Sequence, residues 1–219
     1  MSQTKSRAVS SQGTRLFIQQ RGAPLPAGVA ITAVTRANPA VVTAAGHGLS
    51  AGQVVRVADV LGMTQLNDKT YVVANPQTDT FELQGVDASA YNLYASGGKA
   101  SALSMLETVE HKSYSGFDGQ ASEVDTTTLV SKAKEKTLGL RDFGGMSIEI
   151  NRVDDEAFQV EANLAAKDGE PRWFSLIKRN GFTKVWQGYV RSFSDTGAVD
   201  GVNGGTLSVT ISGEVVDVK

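Results

Sequence analysis

Alternating apolar and polar residues run along most of the chain and predict a fold built mainly of half-buried β-strands. The clearest case is the segment 206–212, in which Leu207, Val209 and Ile211 alternate with hydroxyl side chains. Because successive side chains of a strand point to opposite faces, these three residues are expected to face a core. The same reasoning predicts further strands at residues 15–19, 103–111, 146–151 and 182–193.

A single helix is predicted, at residues 154–167. Three acids at 154–156 would occupy its first turn, where the helix macrodipole favours negative charge, and Lys167 would close it. The expected apolar face consists of Ala157, Phe158, Leu164 and Ala165. Glu161 falls in the middle of that face. Either the face is divided between two neighbouring elements or Glu161 is paired, and the sequence leaves both alternatives open.

Residues 28–102 have a composition of their own, rich in Ala, Val, Thr and Gly. Short strands bounded by turns are predicted there at 29–34, 40–43, 54–58, 71–74 and 80–83. We therefore expect a small β-domain inserted between two strands of another domain, since insertion at an exposed turn costs little loop-closure entropy. The predicted organisation is a flexible arm at 1–12, a discontinuous domain at 13–27 and 103–219, and the insert at 28–102.

Composition removes several classes of function. The chain has no cysteine, which excludes disulfides, thiolate metal sites and cysteine nucleophiles. Its net charge of −2 differs from the strongly basic charge that is typical of nucleic-acid-binding proteins. No apolar run approaches the roughly 20 residues of a membrane helix. The basic N-terminus, with Lys5 and Arg7, is either a solvated tail or a contact between neighbouring copies. We expect no cofactor, no metal and no membrane association.

One catalytic pattern occurs, at Gly48-Leu49-Ser50-Ala51-Gly52 with His47 beside it. A nucleophile elbow of this spacing requires a strand, a tight turn and then a helix. The residues that follow, from Val54 onward, predict a strand instead. The pattern therefore indicates a turn between strands, and the chain is not expected to be an enzyme.

Two sets of motifs carry resemblances to known families. The first set is Ser115-Gly116-Phe117-Asp118-Gly119-Gln120-Ala121-Ser122-Glu123-Val124-Asp125-Thr126-Thr127-Thr128-Leu129, then Leu138-Gly139-Leu140-Arg141-Asp142-Phe143-Gly144, Gln187-Gly188-Tyr189-Val190-Arg191-Ser192-Phe193 and Val209-Thr210-Ile211-Ser212-Gly213-Glu214-Val215. In this order they resemble the tail-tube (major tail) proteins of long-tailed bacteriophages, over nearly all of 103–219 and the first strand.

The second set is Asn38-Pro39-Ala40-Val41-Val42-Thr43, Gly46-His47-Gly48-Leu49-Ser50-Ala51-Gly52 and Gly62-Met63-Thr64-Gln65-Leu66-Asn67. It resembles small β-domains of phage tail proteins that are named for a half-domain of ubiquitin-activating enzymes. The chemistry of ubiquitin activation does not carry over, because the chain has no cysteine. We interpret this insert as an exterior decoration.

The tail-tube resemblance implies a β-sandwich or split barrel with one flanking helix. It also implies hexameric rings that self-assemble into a tube in the virion tail, formed in the host cytoplasm, through which DNA passes without specific binding. Tail-tip or baseplate, terminator and tape-measure proteins are the partners it implies. The alternative is a phage carbohydrate- or receptor-binding tail protein, suggested by the insert's β-fold with Tyr91 and Tyr94.

Candidate contact residues follow from the long segment 115–142, which exceeds the roughly two to five residues of an ordinary hairpin loop. Leu129, Leu138 and Leu140 are predicted to bury against an adjacent ring, with Asp125 and Thr126 bonding to partner backbone. Lys5 and Arg7 would meet the acidic body of a neighbour. On the strand 146–151, Ile148 and Ile150 are predicted to face the core, and Ser147, Glu149 and Asn151 to face water or the lumen.

Overall fold

The computed structural model describes Ala8 and residues 10–219, and within them it is built mainly of strands with one α-helix. The mainly β class expected from the sequence is therefore confirmed. The strands are β1 (Arg15–Gln19), β2 (Val29–Ala30), β3 (Ala33–Val34), β4 (Ala40–Thr43), β5 (Val54–Leu61), β6 (Lys69–Ala74), β7 (Thr80–Leu83), β8 (Ser96–Ala102), β9 (Met105–Thr108), β10 (His111–Gly116), β11 (Ala121–Asp125), β12 (Lys136–Arg141), β13 (Gly145–Asn151), β14 (Arg172–Ile177), β15 (Thr183–Phe193) and β16 (Gly204–Val218). The helix is α1 (Ala157–Asp168), and Thr64–Leu66 forms a short 3₁₀ turn.

Three sheets contain these strands. The first has seven strands in the order β10-β13-β16-β15-β14-β1-β9, the second is the pair β11-β12, and the third runs β2-β8-β5-β6-β7-β4-β3. Pairing is antiparallel along β9-β1-β14 and along β10-β13-β16. The first seven-stranded order ends on β10 and β9, and the other ends on β2 and β3.

The chain divides into two compact units. One comprises the described residues up to Val109 together with Trp173–Val185 and Val216–Lys219, and the other comprises Glu110–Arg172 and Trp186–Val215. We call them unit 1 and unit 2. The insert at 28–102 falls in unit 1 with β1 and β9. Its status as a separate domain between 13–27 and 103–219 stays a prediction, and most of the arm at 1–12 lies outside the described residues.

Two apolar clusters of unit 1 involve the insert. The first lies within the insert and includes Val42, Val57, Phe81 and Leu83, all fully buried or nearly so. The second joins Val54, Val72 and Ala74 of the insert to Val185 of β15 and Val218 of β16. The insert therefore has a core of its own and, in addition, an apolar contact with other strands of the same unit.

In unit 2, β13 has the predicted alternation. Met146, Ile148 and Ile150 are buried, whereas Ser147 and Asn151 are half-buried and Glu149 is exposed. The prediction that Ile148 and Ile150 face the core is confirmed. The strand pairs with β10 on one side and β16 on the other, so its backbone groups are satisfied within the sheet.

Replacing Ile148 with alanine should destabilise the protein by roughly 2–5 kcal/mol, because the fully buried side chain would leave a cavity. The matched change Ser147→Ala, one residue earlier on the opposite face, should alter the free energy of unfolding by less than about 0.5 kcal/mol. Urea denaturation of both variants measures the difference. Equal losses at the two positions would contradict this register.

Helix α1 begins later than predicted. It starts at Ala157, so the acids at 154–156 precede the first turn, and Gly169 ends it in the left-handed conformation with φ 67°. Its buried face is formed by Phe158, Glu161, Ala162 and Ala165, the i, i+3, i+4, i+7 spacing of an amphipathic helix. Leu164, predicted on that face, lies off this spacing and is half-exposed.

Glu161 is buried because it is paired, which decides between the two alternatives that the sequence left open. Its Oε1 accepts a hydrogen bond of 2.7 Å from Nε of Arg172, and the Asp168 carboxylate accepts another of 2.6 Å from the same guanidinium. Burial lowers the pKa of Arg172, but the hydrogen bonds that its guanidinium donates to Asp168 and Glu161, with the charges of these carboxylates, outweigh burial, and the net shift of the pKa is upward. The guanidinium is thus held charged at the end of the helix.

Candidate assembly surface

The segment that the sequence left without strands contains a hairpin. Strands β11 and β12 pair only with each other, with Glu123 opposite Leu138 and Asp125 opposite Lys136. A salt bridge joins the Lys136 ammonium to the Glu123 carboxylate across the ribbon. Both strands were missed because β11 lacks apolar alternation, and in β12 it is limited to Leu138 and Leu140 on either side of Gly139.

Large apolar side chains cover this hairpin without a core beneath them. Leu138 is 72% exposed and Leu140 is 90% exposed, while every other residue of β12 is exposed as well. Leu129 and Val130 at the turn are fully exposed, and Val124 of β11 is half-exposed. Clustered exposed hydrophobic residues mark an interaction surface in proteins that remain soluble. The three leucines predicted as contact residues are all exposed and all belong to this hairpin, and their contact with an adjacent ring stays a prediction.

Residues 126–135, which we call the tip loop, are held by bonds within the hairpin. The Thr126 amide donates to the Glu135 carbonyl at 2.9 Å, and the Glu135 amide donates to the Thr127 hydroxyl at 3.0 Å. Asp125 accepts a hydrogen bond from the Thr127 amide at 2.8 Å. Bonds from the Thr127 hydroxyl and then its amide lower the pKa of Asp125. Contact of Asp125 and Thr126 with a partner's backbone stays a prediction.

The predicted lumen residues share one face of β13. The Glu149 carboxylate accepts a hydrogen bond from the Ser113 hydroxyl at 2.9 Å, and the Asn151 amide group donates to Glu110 at 3.2 Å. Ser147 lines a groove of about 670 Å³ with a mostly polar wall. Which face of the sheet meets a lumen remains a prediction. The other two predicted contact residues, Lys5 and Arg7, lie outside the described residues.

Unit 2 has a second exposed apolar surface, which was not predicted from the sequence. The loop between β15 and β16, residues 195–203, exposes Val199 completely and Val202 largely. The signal that would have revealed it is a β-branched residue within a Gly- and Asp-rich turn, where no core position is available. Val124 of β11 and Val130 of the turn were overlooked as well.

The Gly48–Gly52 pattern has no catalytic geometry. Its residues form a turn that leads into β5, and no helix follows. His47 is buried, with Nδ1 accepting the Leu49 amide at 3.0 Å and Nε2 within 3.2 Å of the Thr80 carbonyl. Since Nδ1 is the acceptor, Nε2 carries the proton and donates to Thr80. The one nitrogen lone pair of the ring, on Nδ1, is therefore occupied by the Leu49 amide and is not available to accept a proton from Ser50.

The two tyrosines behind the carbohydrate-binding alternative are structural. Tyr91 and Tyr94 are only half-exposed and pack against the insert's own core. The Tyr94 hydroxyl lies 2.9 Å from both the Ile31 and Gly97 carbonyl oxygens, so its ring is fixed in place. Stacking on a sugar requires an accessible aromatic face, and the packing of these rings removes much of it.

Within the part of the chain that the structure describes, no group of three or more His, Asp or Glu side chains is placed to hold a metal ion. Among the same residues, no helix has the length and apolar character needed to cross a membrane.

Comparison with known proteins gives one family match and several structural likenesses. Residues 37–103 match the FCCH domain of the ubiquitin-activating enzyme E1, which confirms the half-domain resemblance of the insert. A chain in the tail of an empty gene transfer agent particle, computed with helical refinement and C6 symmetry, is 20% identical with a TM-score of 0.42. The likeness covers 50% of this chain and 83% of that one.

A chain from the virion of a native gene transfer agent particle is 19% identical with a TM-score of 0.43. It covers 53% of this chain and 89% of that one. No curated protein matches the chain in sequence.

Proposed function

We propose that this chain is a structural subunit of a phage-type tail tube, which assembles into stacked hexameric rings around a channel for DNA. The observation that carries the proposal is the hairpin β11–β12, whose apolar side chains have nothing to pack against within the described chain. An isolated two-stranded hairpin is at best marginally stable in water, so its stable environment is a surface of another molecule.

Burial of the hairpin would supply a substantial driving force. Each leucine transferred from water into an apolar contact gains roughly 1.5–3 kcal/mol, and Leu129, Leu138 and Leu140 all start exposed. The sequence resemblance of residues 103–219 to tail-tube proteins supports another copy of the same chain as the partner. In this proposal Leu129, Leu138 and Leu140 form the contact between rings.

The charge of the chain fits a channel through which DNA slides better than it fits a protein that binds DNA. The chain carries a net charge of −2, and Glu149 lies exposed on the polar face of β13. A cationic wall would hold phosphates through counterion release, whereas a neutral or acidic wall lets DNA slide. We therefore assign Ser147, Glu149 and Asn151 to the lumen. Tape-measure, terminator and tail-tip proteins are the further partners that the resemblance supports.

Hydrogen exchange on soluble subunits and on assembled material tests this proposal. The amides of β11, the tip loop and β12 are bonded within the hairpin, but the hairpin has no core beneath it and every residue from 122 to 130 and from 132 to 142 is exposed. It should therefore open readily, and these amides should exchange much faster than those of β13 in the free subunit. In assemblies the same amides should become protected, while those of β13 stay protected in both states. Failure to form any assembly, or equal protection of the hairpin in both states, would contradict the proposal.

The insert at residues 28–102 is proposed to decorate the exterior of the tube. Its ends are close together, because Val29 pairs with Ala100 and Ala30 with Lys99. Deleting residues 28–99 and joining the ends with a short flexible linker should leave tube formation intact. It should also lower the thermal midpoint, because Val185 and Val218 would lose their contacts with Val54 and Val72.

Electron microscopy and thermal denaturation of the deletion variant check this expectation. A milder control is the double change Val54→Ala and Val72→Ala, which weakens the same apolar contact and keeps the insert. Loss of tubes in the deletion variant together with a folded remainder would show that the insert takes part in assembly.

A further inference from the structure

Two loops of unit 2 have complementary character, and we propose that they dock on each other between copies. The first is the tip loop, residues 126–135, and the second is residues 195–203, which we call the acidic loop. The tip loop of one copy would contact the acidic loop of a second copy. This inference rests on the proposed self-assembly and adds to it a specific pair of surfaces.

The tip loop presents apolar side chains from the centre of a tight turn. The Ser131 amide donates to the Thr128 carbonyl at 3.1 Å, and the Thr128 amide donates to the Ser131 hydroxyl at the same distance. Leu129 and Val130 are the two central residues of this turn and are fully exposed. Gly, Pro, Asn, Asp and Ser normally occupy such positions. Neither residue is needed to form the turn, so their apolar character points to a partner.

The acidic loop is built in the same way. Reciprocal hydrogen bonds of 2.7 Å between Thr196 and Gly204 close it, and the Gly201 amide donates to the Ala198 carbonyl at 3.2 Å. Val199 occupies a central position of that inner turn and is fully exposed, with Val202 largely exposed beside it. The hydrogen bonds fix the loop's shape, which lowers the entropy lost on docking.

Charge distinguishes the two loops. The tip loop carries Lys132 and Lys134 together with one acid, Glu135, and so has a net charge of +1. The acidic loop carries Asp195 and Asp200 with no basic residue, a net charge of −2. The two lysines and the two aspartates are exposed, and none of these four side chains enters the ion pairs found among the described residues. Opposite charges around an apolar centre favour contact between the loops, whereas two tip loops would repel each other.

The occupant is a second copy because the two loops do not meet within one chain. Both belong to unit 2, yet Leu129 and Val199 are each fully exposed there. A contact between two different surfaces of identical subunits is heterologous, and such contacts propagate without limit unless a ring closes. This property suits the axial growth of a stack of rings.

Cross-linking between single-cysteine variants tests the pairing cleanly, because the native chain has no cysteine. Val130→Cys and Val199→Cys, carrying different tags, are mixed, assembled and oxidised. A disulfide requires Cα atoms about 4.4–6.8 Å apart, so a mixed dimer should form only in assembled material. The control pairs Val130→Cys with Leu93→Cys, a largely exposed position in the insert, and should give no dimer.

Charge reversal provides a second readout. Lys132→Glu with Lys134→Glu, or Asp195→Lys with Asp200→Lys, should raise the protein concentration needed for assembly by roughly tenfold or more, since like charges would face each other. Combining the four changes in one chain should restore assembly. If the unaltered chain forms tubes but shows neither the specific cross-link nor the rescue, the loop pairing is overturned and the tube function stands. If it forms no assembly at all, both proposals fail.

Discussion

Replacing both Leu138 and Leu140 with aspartate should abolish polymerisation and leave the subunit folded. Both side chains are largely exposed on β12, so their replacement removes almost no buried contact and should change the stability of the free subunit by less than about 0.5 kcal/mol each. In an assembled interface the same positions would bury two unpaired carboxylates, which costs several kcal/mol. Sedimentation and electron microscopy measure assembly, and circular dichroism measures folding.

The matched control for this variant is Leu61→Asp. Leu61 is another exposed leucine on a strand, but it lies in the insert and is assigned to the exterior. Polymerisation of the control should match that of the unaltered chain. Normal tubes from the Leu138→Asp, Leu140→Asp variant would remove the hairpin from the interface and leave the apolar surface without a role.

Glu161→Ala should destabilise the protein by about 3–5 kcal/mol, the usual loss when one partner of a buried ion pair is removed. The Arg172 guanidinium is almost completely buried, and without Glu161 its remaining partners among the described residues are the partly exposed Asp168 carboxylate and the Glu170 carbonyl. Urea denaturation measures the loss. Leu164→Ala on the same helix is the control and should cost less than about 1 kcal/mol, because that side chain is half-exposed.

A compensating double variant distinguishes the contribution of the ion pair to stability from that of side-chain packing. Glu161→Leu combined with Arg172→Met removes both charges and keeps apolar volume, so it should recover most of the lost stability. If Glu161→Ala proves as mild as Leu164→Ala, Arg172 is solvated by water in the folded protein and the pair contributes little. The helix would then be held mainly by Phe158, Ala162 and Ala165.

The sequence predicted strands well where one face of a sheet is buried and the other is exposed to solvent. The bounds of β1, β4 and β7 match the predicted segments, and β13 has the expected facing residues. Strand β14 was missed because Phe174, Ser175 and Leu176 are buried in succession, which removes the alternation. Strand β8 was missed because it contains Gly97 and Gly98, both at positive φ, where a strand is not expected.

The candidate assembly surface was predictable in part. The resemblance directed attention to the segment 115–142, and exposure of its leucines agrees with the contact proposed for them. The pairing of Glu161 with Arg172 joins residues eleven apart, one on a helix and one on a strand, and no local pattern encodes that distance. The acidic loop was overlooked because a loop rich in Gly and Asp predicts only a turn. The exposure of its valines, which marks the loop as a candidate contact surface, is visible only in the folded structure.

Electron microscopy of the purified, full-length chain tests the central claim most directly. The account predicts tubes of uniform diameter, built of stacked six-membered rings with a central channel, and predicts that hairpin density bridges successive rings. Discrete monomers or trimers without a channel, at concentrations at which the chain remains folded and soluble, would contradict it.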